Sequence, residues 1–153
     1  MSAPRSMDAH ARRSFLLVLL VAYLWLNASE VFRYFAFVMP MMRDAMSSVR
    51  DVAPINVTVF MIWGLWDTLL FAVVGFIAWL FHEKFGGGLR NTLAAGTLLW
   101  LTIFCVFWLA AWNMNLTVSR VPLVALPLAW IEMVVSVAIL ERAWPHLRAY
   151  SRA

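Results

Sequence analysis

At 153 residues, 64% hydrophobic and only 13% charged, the chain carries more apolar surface than a soluble domain of its size can hide. Its formal net charge of +4 and pI near 10 would suit a nucleic-acid partner, but the basic residues flank apolar runs instead of clustering on a soluble face, which excludes that partner. Cys105 is single, which excludes an intrachain disulfide and a cysteine-based metal site.

The mean hydropathy of +0.81, with nine Trp and eleven Phe, points to an integral membrane protein in which aromatic residues anchor at interfaces and fill between helices. Met1 to Ser14 is polar and basic, and a first apolar span follows over residues 15–39. Arg12-Arg13-Ser14-Phe15-Leu16 resembles a twin-arginine export signal, yet the apolar pattern resumes after Asn27-Ala28-Ser29 and runs on to Met39. A retained span is therefore expected. Pro40 is expected to end it.

Over residues 41–53 the apolar positions Met41, Met42, Ala45, Met46, Val49, Val52 and Ala53 recur at helical spacing, opposite Arg43, Asp44, Arg50 and Asp51. Too short to span, this stretch is expected to form a short amphipathic helix in the interface plane. The second span covers residues 55–81 and ends at a glycine turn, Gly86-Gly87-Gly88, read as a helix cap and hinge. The third covers 92–112, with Thr92, Gly96, Leu99, Ile103 and Val106 as its packing face. The fourth covers 121–140, and a polar tail over 143–153 closes the chain.

The expected fold is thus all-α, a four-helix transmembrane up-down bundle forming one domain over residues 15–142. Arg5, Arg12, Arg13, Lys84, Arg90, Arg142, Arg148 and Arg152 fall on one side, against Arg43, Arg50 and Arg120 on the other. This bias places both termini in the cytoplasm of a bacterial-type inner membrane.

Four charged residues lie inside the spans: Glu30, Arg33, Asp67 and Glu132. An isolated charge at the bilayer centre costs roughly 2.5–3.5 kcal/mol, so three unrelieved carboxylates would cost on the order of 8–10 kcal/mol. Asn27, Glu30, Arg33 and Tyr34 share one face of the first helix, so Glu30 and Arg33 can pair three residues apart. Gly64, Asp67, Phe71 and Gly75 lie on one side of the second, and Ala125, Ala129, Glu132 and Ser136 form a small and polar stripe on the fourth. Acids on small-residue faces are expected to converge. Three acids against one base leave at least one carboxyl that must hold a proton or await a cation.

Trp63, Trp66 and Trp130 lie within a turn of Asp67 or Glu132. Aromatic rings beside a carboxylate can hold an ammonium group by cation–π attraction. The expected site therefore comprises Glu30, Arg33, Asp67, Glu132, Asn27, Tyr34, Trp63, Trp66 and Trp130, binding a small lipophilic or cationic molecule for transport or sensing. In an alternative reading Asp67, Glu132 and Glu30 are acid and base in an isomerase or cyclase acting on a lipid or terpenoid. A third reading is an accessory subunit of a larger membrane complex. Membrane lipids are the expected surroundings, a homodimer or larger complex the expected assembly for transport, and no metal or cofactor is called for. His10, His82 and His146 lie at or outside the membrane face, so no haem can be ligated across the bundle.

Overall fold

The computed structural model describes residues 9–52 and 54–145; Arg5, His146, Arg148 and Arg152 lie outside the described residues. It is all-helical over these residues, with four helices long and apolar enough to cross a membrane: α1 Ala9–Ala45, α2 Val57–Phe85, α3 Leu89–Asn113 and α4 Arg120–Leu140. About 20 residues cross a hydrocarbon core at 1.5 Å per residue, so α1 with 37 residues outreaches it.

Two boundaries differ from expectation. Helix α1 does not stop at Pro40 but passes through it to Ala45, and residues 46–51 follow as turns, so residues 41–52 are not one separate helix; Ala53 lies outside the described residues. Just before Pro40, over Tyr34–Val38, the helix widens into a π turn, closed by Met39 N–H donating to the Tyr34 carbonyl. A π turn there absorbs the proline ring and its missing N–H, so the helix continues. At the other end of the second span, His82 falls inside the last turns of α2 and is buried. Gly86 then caps the helix at φ +78, its N–H donating to the His82 carbonyl.

A second π turn, Trp100–Cys105, interrupts α3. It adds one residue to the turn and rotates everything beyond it. The buried face begins as expected with Thr92, Gly96 and Leu99, then shifts to Phe104, Trp108 and Ala111. Ile103 is only partly buried and Val106 is exposed, against the regular 3.6-residue expectation.

Helix α4 is the hub, packing against both α1 and α3. Its stripe of Ala125, Ala129, Glu132 and Ser136 is fully buried, as its small side chains allow. Against α3 the approach is so close that a Cβ on Gly96 would lie 2.7 Å from Val134 Cα. Two indoles zip the same pair: Trp100 Nε1 donates to the Leu126 carbonyl at 2.8 Å, and Trp130 Nε1 to Thr97 Oγ1 at 3.0 Å. Helix α2 is held differently. Its buried side runs Asp67, Leu70, Val74, Ala78, His82, whereas Gly64 and Gly75 meet no neighbouring atom within 4 Å of an added Cβ. The glycines of α2 are thus not a packing stripe, although Asp67 does face the bundle.

The contrast between glycines is testable. Gly96→Ala should destabilise the protein by about 1–3 kcal/mol, because Val134 backbone cannot yield cheaply. Gly64→Ala should be neutral or stabilising by about 0.5–1 kcal/mol through helix propensity. Thermal midpoints in detergent would show it, and equal effects at both sites would contradict the close α3–α4 contact.

Candidate functional site: an ion-paired centre and an acidic cleft

Arg33 is the only Lys or Arg within the apolar stretches 15–39, 55–81, 92–112 and 121–140, and it is buried at 5% exposure. Its Nη2 lies 2.5 Å from Glu30 Oε1, one helical turn back, a charge contact without hydrogen-bond alignment. Its Nε donates to Glu132 Oε2 across the bundle at 3.4 Å. The guanidinium carbon stands 4.9 Å from the centre of the Phe104 ring, so the face of the cation is covered by an aromatic. Phe104 reaches that place because of the π turn in α3, and the π turn of α1 begins at the residue after Arg33. Both departures from regular helix meet at this cation.

Glu132 is almost wholly buried, at 1% exposure, and its Oε1 has no hydrogen-bond partner. Its own backbone carbonyl accepts from Trp25 Nε1 at 3.3 Å and from Ser136 Oγ at 2.8 Å, which pins α1 to α4 at this level. One Arg33 charge is therefore shared between two acids on two helices.

Asp67 stands apart. It is buried at 8% exposure and interacts electrostatically with Arg33, Glu30 and Glu132, yet no hydrogen bond or ion pair reaches it among the described residues. It lines a cavity of about 410 Å³ together with Glu30, Tyr34, Trp63, Trp66 and Trp108. This volume falls within the range of small-molecule sites. Tyr34 and Trp63 meet edge to face at 4.4 Å, and Trp66 meets Phe107 at 6.5 Å, so the acid shares the cavity wall with two pairs of packed aromatic rings. The cavity continues past Val38, Met42 and Val52 towards Met114 and Leu116, at the end where the α1–α2 and α3–α4 connections lie.

Of the residues expected at the site, Glu30, Tyr34, Trp63, Trp66 and Asp67 line the cavity, while Arg33 and Glu132 form the ion-paired centre that Glu30 joins to it. Trp130 is spent on Thr97 in the α3–α4 contact, and the Asn27 amide donates to the Tyr23 carbonyl at 2.8 Å, so neither contributes to the wall. Phe104, Phe107 and Trp108 were not legible at regular helical spacing. They become so only once the α3 register shift is known.

Removing one partner of a buried ion pair strands the other, so Arg33→Met should cost about 3–5 kcal/mol. Adding Glu132→Gln should restore part of that loss, a non-additivity read from unfolding in detergent. Asp67→Asn, having no partner to strand, should leave stability unchanged or raise it. Purely additive Arg33 and Glu132 effects would refute their coupling. Comparison of the chain with protein-family models, with curated proteins and with solved structures found no match, so the functional reading rests on this geometry.

Proposed function

We propose that the protein is a multi-pass inner-membrane four-helix bundle of up-down topology whose cleft binds a lipophilic cation, for transport or sensing. In this arrangement both termini lie in the cytoplasm, and the segment after Ala45 rests at the opposite membrane face. The observation that carries the reading is Asp67: a buried carboxyl facing a cavity, with no hydrogen-bond or ion-pair partner among the described residues, while Arg33 is engaged by two other acids. Intramembrane acids that face cavities mark sites where a proton or cation is taken up. Tyr34, Trp63, Trp66 and Trp108 share the cavity wall with Asp67, and cation–π attraction to aromatic faces favours an ammonium group over a metal ion.

A proton and a bound cation compete for the same carboxylate, so cation binding should weaken as pH falls, with up to one proton displaced per cation. Asp67→Asn should lower affinity for benzyltrimethylammonium about 30-fold or more in lipid nanodiscs, corresponding to loss of a buried charge partner. Equilibrium binding of the radiolabelled probe measures this. Undiminished binding by Asp67→Asn would refute the assignment.

A further inference from the structure

Helices α2 and α3 are joined by the short glycine turn and pack together next to it, where α2 meets the Leu89–Leu99 half of α3. Beyond that, α2 draws away from the Val106–Asn113 half. The cavity occupies the gap so left. Its α2 wall is Trp63, Trp66 and Asp67, and its α3 wall includes Phe107, Trp108 and Ala110. Trp66 and Phe107 are each half exposed, and their edge-to-face contact is what bridges the two helices there.

The connection end of the cavity is tied down instead. Met42 accepts a hydrogen bond from Thr117 Oγ1 at its sulfur, at 3.3 Å; Val52 carbonyl accepts from Arg43 Nε at 3.4 Å; and Arg120 pairs with Asp44. Between α2 and the Val106–Asn113 half of α3, the ring contact found among the described residues is Trp66–Phe107. In a membrane-spanning bundle that side faces hydrocarbon.

We infer that the site admits its ligand sideways from the bilayer, between α2 and α3 past the Trp66–Phe107 pair, and that the ligand is a single-chain alkylammonium amphiphile. The inference rests on the cation-binding reading above. The ammonium group sits against Asp67 among the rings, and the alkyl chain passes through the gap into lipid. A phospholipid fits less well, because its phosphate would face Glu30 and Asp67 with Arg33 already paired. Trp66 and Phe107 act as a gate: side-chain rotation opens the gap without moving a helix.

The test uses radiolabelled dodecyltrimethylammonium and the full-length protein in nanodiscs. A Trp66→Cys/Phe107→Cys variant, in a Cys105→Ala background, is compared before and after bridging with a short bifunctional thiol reagent. Bridging should slow association at least about tenfold, as expected for a closed gate. Ala110→Phe, which narrows the same gap without a cross-link, should slow it in the same direction. Ethyltrimethylammonium should bind far more weakly, since each methylene lost reduces the membrane-phase concentration roughly fourfold.

Asp67-dependent binding whose rate neither bridging nor Ala110→Phe alters would overturn lateral entry and leave the cation site standing. Failure of dodecyltrimethylammonium and benzyltrimethylammonium alike to bind the unmodified protein would overturn both readings. A phosphatidylcholine analogue displacing the amine at equal membrane concentration would overturn the single-chain assignment.

Discussion

Arg33 is the charge on which the interior depends. A guanidinium taken out of water must be paid back locally, and here the return comes from three directions: Glu30 one turn behind it, Glu132 from α4, and the Phe104 ring from α3. Three of the four helices therefore converge on one cation. Because Arg33 and Glu132 are each buried to within a few per cent, the pair also sets the register of α1 against α4, reinforced by Trp25 donating to the Glu132 carbonyl. Polar contacts in membrane bundles are individually modest, so their value here lies in specifying one arrangement among many apolar ones.

The two π turns belong to the same device. Each adds a residue to a helix and swings the following side chains by about a quarter turn or more, which no smooth bend could do. In α1 the turn follows Arg33 and directs Val38 inward; in α3 it directs Phe104 and Trp108 inward. The consequence is a covered cation on one side and an aromatic cavity wall on the other.

Helix α2 owes little to this centre. Its inward face below Asp67 is Leu70, Val74 and Ala78, it lacks the indole bonds that join α3 to α4, and it parts from the second half of α3. The tightly zipped helices form a scaffold, and the less constrained one carries the unpartnered acid. A site built at such a boundary combines a rigid polar floor with a side that can yield.

Much of this was legible in residue order. Four long apolar runs predict four spans whatever the packing, because backbone polar groups in hydrocarbon must be satisfied within a helix. Likewise, a three-residue separation brings Glu30 to Arg33 without reference to any other helix. The surplus of acids over bases inside the spans follows from counting alone. Which acid remained unpaired did not. Glu132 and Asp67 were equivalent by their place on small-residue faces, and only packing assigned Glu132 to Arg33 and Asp67 to the cavity. Trp130 and Trp66 were likewise alike in proximity, yet one is consumed by Thr97 and the other borders the opening. The continuation of α1 through Pro40 and the rotated face of α3 were equally out of reach, since periodicity assumes the regular turn that a π insertion breaks. The sequence determined how many helices are long and apolar enough to cross a membrane and that basic charge would be short among them; the tertiary structure decided which carboxyl bears the shortage, because that depends on distances between helices and not along one.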